Sequence, residues 1–309
     1  MDIGILLSVT GYVAKSFFDA AKAVSSIGYD HVELGANRII RDPNLADLGP
    51  FSDFEAEEVV LWMRELGLQV SAIECHVEYV ARRTADIANA ARHTIRVLDI
   101  AKHVGVRFVH TVSGRLHPGM TEEDGYRALV AAYRDLLRYA EEAGVKLGIQ
   151  PVFIYLVANL ASTQRLLEQV AREDLFINFD PSAFVFHRES AVDFIKAFGK
   201  KILHVLARDA VVEPLNAEEV SRYQAFDMGG GEQFKLALPG EGVVNWPEII
   251  GALRGVGFDG VVSVGLPRGT EEPEEAAAKV LKFLKQCVPA AEEARPLEEA
   301  EELPDLGPF

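Results

Sequence analysis

A few side chains in this sequence can do chemistry, and each has an ordinary alternative. Glu78 follows Val77. A carboxylate set among apolar side chains such as Val77, Val152 and Leu206 loses solvation, which raises its pKa toward the range of a general base. A solvated loop carboxylate is the other reading of Glu78. Lys235, in an apolar pocket, would shed its proton and add to a carbonyl as a Schiff base; a cation that binds anions is its other reading. Cys75 with His76 or His110 would make a thiol nucleophile and its base. Adjacent residues on a strand point to opposite faces, so Cys75 and His76 do not pair directly, and buried Cys is commonly inert. His204 reads as a satisfied core histidine rather than a catalyst.

The elements that must position these groups alternate from end to end. Short, mostly apolar runs predict strands at Ile3–Val9, His31–Leu34, Gln69–Glu74, Phe108–Val112, Lys146–Gln150, Leu175–Asp180, Ile202–Arg208 and Val261–Leu266. Amphipathic segments between them predict helices at Phe54–Leu66, Thr84–Val104, Glu122–Ala143, Ser162–Val170 and Glu274–Lys285. Ser52-x-x-Glu55 and Thr121-x-x-Asp124 read as capping boxes. Gly28, Gly105, Gly144 and Gly257 suit left-handed helix ends directly before a strand. Eight strands alternating with helices predict an α/β fold, a single-domain (β/α)8 TIM barrel over residues 1–288. A doubly wound sheet with a second domain competes, but no linker divides the chain. In such a barrel the site lies at the C-terminal ends of the strands. That places Ser8 and Val9, Glu33, Glu74 to Glu78, His110 to Ser113, Gln150 to Tyr155, Asp180 to Phe184, Leu206 to Asp209 and Gly265 to Arg268 at the mouth. Glu213–Pro239, with Gly229-Gly230-Gly231, reads as a long functional loop.

Composition narrows the function further. The 309 residues carry 31 Lys+Arg against 47 Asp+Glu, a formal charge of −16, which disfavours nucleic acid as a partner. No apolar run reaches the roughly 18 residues of a membrane span. Residues 289–309 hold seven acids, one Arg and four prolines and read as a solvated acidic tail. The opening Met1-Asp2-Ile3-Gly4 lacks a basic signal-peptide start. Only Cys75 and Cys287 are present, so no disulfide framework or Cys-based zinc site is expected. A cytoplasmic location is the expectation.

Four segments carry a resemblance. Gly28-Tyr29-Asp30-His31-Val32-Glu33-Leu34, Asn178-Phe179-Asp180-Pro181-Ser182, His204-Val205-Leu206-Ala207-Arg208-Asp209, and Leu238-Pro239-Gly240-Glu241-Gly242 followed by Trp246 resemble the xylose-isomerase-like sugar isomerase/epimerase family. The match runs in order from the first strand to the helix after Gly269. The resemblance implies a TIM barrel with a divalent metal at its mouth, often manganese, magnesium or zinc, and two metal-held Glu side chains that move a proton beside a sugar carbonyl. Its metal ligands are Glu, Asp, His and Glu on strands five to eight. This sequence has Gln150, Asp180, Leu206 and Gly265 there. Family His positions hold Val152, Ala183 and Leu266, and Val77-Glu78 replaces a Gly-Asn pair, so Glu78 is a carboxylate where the family has none. Lys235 stands where the family often has Arg.

One carboxylate and one amide make a poor site for a hard cation, so no metal and no other cofactor is expected. Asp180 is left as a second base or a backbone anchor. The scaffold motifs read clean while one pocket has changed, as redesign or selection for an apolar ligand would leave it. The leading expectation is a metal-free, engineered or diverged barrel with an apolar mouth binding a small molecule. It is lined by Val77, His110, Gln150, Val152, Ala183, Leu206, Gly265 and Leu266, with Glu78, Asp180 and Lys235 as catalytic candidates. Its chemistry would be isomerase-like proton abstraction or lyase-type retro-aldol cleavage of a small carbonyl or aromatic substrate. Two alternatives stand: an isomerase/epimerase with an atypical metal site that uses Gln150, Asp180 and Glu33 or Glu74, and a catalytically silent ligand-binding barrel. Relatives associate in various ways, and a homodimer is an expectation for this chain.

Overall fold

Apolar and polar side chains alternate along the barrel strands, and the two faces go to different places. The computed structural model describes residues 1–7, 17–36, 53–222 and 224–288. In chain order the strands are β1 (Asp2–Leu7), β2 (His31–Gly35), β3 (Gln69–Glu74), β4 (Phe108–Thr111), β5 (Lys146–Ile149), β6 (Leu175–Phe179), β7 (Ile202–Ala207), β8 (Asp209–Pro214), β9 (Phe226–Gly229), β10 (Glu232–Ala237) and β11 (Val261–Val264). The helices are α1 (Phe17–Ile27), α2 (Asp53–Glu65), α3 (Thr84–Val104), α4 (Glu122–Ala143), α5 (Leu160–Val170), α6 (Ser182–His187), α7 (Ala191–Phe198), α8 (Ala217–Ser221), α9 (Trp246–Gly255) and α10 (Pro273–Cys287). Strands β1 to β7 lie side by side in parallel, and β11 pairs with both β7 and β1 to close an eight-stranded barrel. The expected single-domain (β/α)8 architecture is what the chain forms.

Outward-facing residues bury against the helices. Ile5, Val32, Leu34, Ile177, Phe179, Val205 and Val262 join one apolar cluster, and Ile73, Val109, Leu147 and Ile149 a second. Each such side chain contributes roughly 1.5–3 kcal/mol on full burial. The intervening residues, Glu33, His110, Asn178, His204 and Ser263, are equally buried but face the axis, where they meet one another. Parallel strands are expected to be apolar on both faces; here the inner face sets polar groups beside apolar Phe108 and Leu206. Among the described residues no helix is long and apolar enough to cross a membrane.

Local signals explain the element ends. Thr121 and Asp124 form the expected capping box at the start of α4. Gly105 and Gly144 take left-handed φ of 79° and 70°, and their N–H groups return to carbonyls of the last helical turn. The Ser52 box, Ser8 and Val9, and the acidic tail at 289–309 lie outside the described residues.

The expected loop at 213–239 is corrected to a small antiparallel sheet of order β8-β10-β9. Gly230-Gly231 turns β9 into β10 with φ of 67° and 83°, the left-handed pair that a tight hairpin demands. Phe234 in β10 is fully buried and packs on Phe153, Phe186 and Phe226 at ring distances of 4.6–6.3 Å. Asp209 ties this sheet to the barrel. Its Oδ1 accepts from Ala210 N (2.8 Å) and Val244 N (2.9 Å), and its Oδ2 from Gly240 N (3.0 Å) and Trp246 Nε1 (3.1 Å). A Cβ on Gly242 would stand 2.2 Å from Asp209 Oδ1, which is why the turn carries glycine. Asp209→Ala would strip the acceptor from all four donors in a fully buried place. Urea unfolding should show a loss on the order of 3 kcal/mol or more.

Candidate active site at the barrel mouth

The axis of the barrel holds polar side chains in tiers, set by the two-residue period of each strand. Deepest, the Phe108 ring lies against His110 and His204, and Ser71 Oγ meets His204 Nε2 at 3.1 Å. Above them, His110 Nε2 donates to Glu33 Oε1 at 2.5 Å. Asn178 Nδ2 donates to His110 and, at 3.2 Å, to Gln150 Oε1; its Oδ1 accepts from His204 Nδ1 at 3.2 Å. At the mouth, His76 Nε2 lies 3.2 Å from Gln150 Oε1 and 3.7 Å from Glu74 Oε2. Gln150 Nε2 reaches Asp180 Oδ2 at 3.5 Å, and Arg208 Nη1 stands 3.6 Å from the same oxygen. Asp180 Oδ1 accepts from Ser182 N (3.0 Å) and Ser182 Oγ (2.6 Å).

This arrangement unites His110, Gln150 and Asp180 and distributes the other candidates elsewhere. The expected apolar lining is corrected. Val77 packs in the second outer cluster, and Ala183, Leu266 and half-buried Val152 belong to the first. Val77, Ala183 and Leu266 each stand an odd number of residues from axis-facing His76, Asp180 and Gly265, the parity of the outer face. Leu206 is buried with neither cluster, between inward-facing His204 and Arg208. Glu78 is half-buried at the rim, with its Cβ 2.8 Å from where a side chain on Gly114 would begin. The expected amine chemistry of Lys235 is also corrected. Lys235 lies on the face of β10 opposite buried Phe234 and pairs with Glu213 (3.3 Å) and Glu219 (3.2 Å). Partial burial opposes its charge, but hydrogen bonds to both carboxylates outweigh it and raise its pKa. A protonated, paired ammonium is no Schiff-base nucleophile. Cys75 faces the helices and meets Thr94, and burial pushes its thiol up to about 12.

From sequence, Arg208 stands at the mouth by its strand end but without a role, His76 figures only as a base for Cys75, and Glu74 only as a ligand of an atypical metal site. Strand period sets Arg208 on the axis, two residues past Leu206 and four past His204. Its guanidinium lies over Gly265, and among the described residues its nearest charged partner is Asp180 at 3.6 Å.

Burial sets the electrostatics. His76 is driven down to about 4 by desolvation, against the pull of Glu74 and with the help of His110 and Arg208. His204 also falls to about 4 through desolvation, against the pull of Glu33. Burial acts to raise Glu33, but His204 and His110 prevail and hold it below the usual carboxylate range. Desolvation raises Asp180 despite Arg208, Ser182 and Gln150. Burial and then the charge of Glu78 raise Tyr155, with Arg115 pulling the other way.

The donor set does not fit the divalent cation that the sequence resemblance implies. Leu206 and Gly265 offer no ligand atom, and both Asp180 oxygens already face donors. Among the described residues no group of three or more His, Cys, Asp or Glu is arranged to hold a metal ion. A groove of about 820 Å³ lies elsewhere, between α3 and α4 on the outer helix layer, with Ala88, Ala91, Ala128 and Ala131 along it; it holds none of these mouth residues.

A model of the xylose isomerase-like TIM barrel family matches residues 21–287. The inosose dehydratase of Clostridium perfringens (strain 13 / Type A) is 21% identical over 185 residues, which cover 57% of this chain and 62% of that protein. The chain thus spans about three-fifths of the length of this curated relative. D-psicose 3-epimerase from Clostridium cellulolyticum H10, solved with D-tagatose, superposes with a TM-score of 0.72 at 16% identity, covering 93% of this chain and 99% of that one. The IOLI protein, solved with a zinc atom, gives a TM-score of 0.72 at 18% identity, covering 93% and 98%. At such identities the structural likeness shows the fold.

The neutral imidazoles make stability depend on pH. A histidine at 6.5 when unfolded and about 4 when folded contributes its stability in full above pH 6.5 and loses it as pH falls toward 4. Asp180, raised in the fold, acts in the opposite sense, one group against two. Urea unfolding at pH 5 should give a stability lower than at pH 7.5 by on the order of 2 kcal/mol per imidazole, at about 1.4 kcal/mol per pKa unit. Equal stabilities would mean that the rings are solvated.

Proposed function

Starting from a chain that belongs to the xylose isomerase-like TIM barrel family, we propose that it binds a small polyhydroxylated carbonyl compound at the barrel mouth and moves a proton on it without a divalent cation. The observation that carries the reading is the position of Arg208. A guanidinium whose one charged partner among the described residues is Asp180 stands over Gly265, where the family's metal-dependent members would place their ion. The relatives' names, inosose dehydratase and D-psicose 3-epimerase, support a polyhydroxy ketone as the ligand class. The polar half-ring of His76, Gln150, Asp180 and Arg208 suits hydroxyl groups better than an apolar substrate.

The chemistry divides among these side chains. His76, neutral at physiological pH, takes the proton from the carbon beside the carbonyl. The electron pair moves onto the carbonyl oxygen, and the enolate that forms is held by hydrogen bonds from Arg208. Glu74, 3.7 Å from His76 Nε2, offsets the charge that the ring gains. Asp180, engaged by Ser182, Gln150 and Arg208, positions the guanidinium rather than serving as the base. Glu78 remains at the rim, with Tyr155 and Arg115 nearby, as a carboxylate that a bound ligand can reach. The changed mouth within an intact scaffold supports a shift in chemistry, whether by natural divergence or design.

Proton exchange reads this directly. Inososes and ketohexoses are incubated with the protein in D2O containing EDTA, and loss of the proton beside the carbonyl is followed by NMR. Exchange is expected in EDTA, with a decrease of about 10²-fold or more in His76→Phe and in Arg208→Met. Exchange seen only with added manganese would restore the metal-dependent reading. Binding without exchange would leave a silent ligand-binding barrel.

A further inference from the structure

We propose that Arg208 is a built-in cation occupying the space of a divalent ion, and that the missing side chain at Gly265 is what admits it. The strand ends concerned are consecutive around the barrel: Gly265 after β11, Leu206 in β7, Asp180 after β6 and Gln150 after β5. The Arg208 stem crosses the first of them. A Cβ on Gly265 would stand 2.9 Å from Arg208 Nε and 3.2 Å from its Cγ. Even alanine there would press on the arginine, and glutamate would need the volume that the guanidinium now fills. Leu206 closes the space from below, with its Cδ1 3.0 Å from the same Cβ position.

The counter-charge is built in as well. Asp180 is 4% exposed, and a carboxylate so buried needs a cation close by. Arg208 supplies it from a side chain that is itself only 21% exposed. A cation, its buried counter-ion and a glycine leaving room for both thus stand at one place. The substitution has a chemical consequence. A guanidinium can hold an oxyanion by donated hydrogen bonds, but it cannot ionise a bound water or exchange ligands as a metal does.

This inference rests on the mouth being the reacting site, yet its test uses metal alone. One variant carries Gln150→Glu, Leu206→His and Gly265→Glu with Arg208 kept; a second adds Arg208→Ala. Calorimetric titration with manganese chloride should show binding at least tenfold tighter in the second. Equal affinities would overturn the proposal. A thermal double-mutant cycle on the otherwise unchanged chain keeps the proposal testable should the multiple variants fail to fold. Arg208→Met should lower Tm in the wild-type background and less than half as much in Asp180→Asn; additive shifts would also overturn it. If the cycle and the titration succeed while proton exchange is absent, the catalytic reading falls and the built-in cation stands.

Discussion

A barrel closed by eight parallel strands leaves its axial polar side chains little but one another for partners, and Asn178 is where that constraint is met. Its carbonyl oxygen accepts a hydrogen bond from His204 Nδ1, and its amide hydrogens go to His110 and Gln150. The carboxylate of Glu33 holds a proton on His110 Nε2, and His204 Nε2 faces the hydroxyl of Ser71. The chain of bonds then runs through Gln150 to Asp180 at the mouth. A buried donor or acceptor left unmade costs roughly 1–3 kcal/mol, and the members of such a network stand or fall together. The mouth is therefore held from below as much as from its rim.

The small sheet beside the barrel serves that rim. Phe153, which follows β5, packs on Phe186 of α6 and on Phe226 and Phe234 of the antiparallel sheet. Such ring pairs add about 0.5–1.5 kcal/mol beyond burial. This apolar mass sits next to the mouth, and the axis keeps its polar lining. Asp209 clamps the sheet at its base through bonds to Gly240, Val244 and Trp246, so the turn that reads cleanly in the sequence also has a mechanical job.

Much of this was legible in the residues. The bounds of α3 and α4 follow from a helical period that stops at Gly105 and Gly144, and all eight barrel strands stand where apolar runs predicted them. The positions of Gln150, Asp180, Leu206 and Gly265 were legible because they lie at strand ends. What they do together was not. Arg208 reaches Asp180 because a neighbouring strand ends in glycine, and one strand's sequence does not reveal a space left by another. Val77, Ala183 and Leu266 were misplaced because nearness to a strand end was read without its parity, which sets them on the face opposite His76, Asp180 and Gly265. Lys235 was misread because its match to the family's Arg set it over the mouth, whereas the hairpin that the glycines turn hands the amine to Glu213 and Glu219.

Phe108 and Gly148 share one volume on the barrel axis: a Cβ on Gly148 would meet the Phe108 ring at 2.6 Å. Growth at 148 is therefore blocked while Phe108 stands, and shrinkage at 108 alone is costly. A larger residue at 148 becomes tolerable only after 108 has shrunk, and a smaller residue at 108 opens a void that only growth at 148 can fill. Among descendants of this chain, the two sites should vary as a pair, in a fixed order of steps, so that a history of substitution is written into the interior as epistasis rather than as invariance.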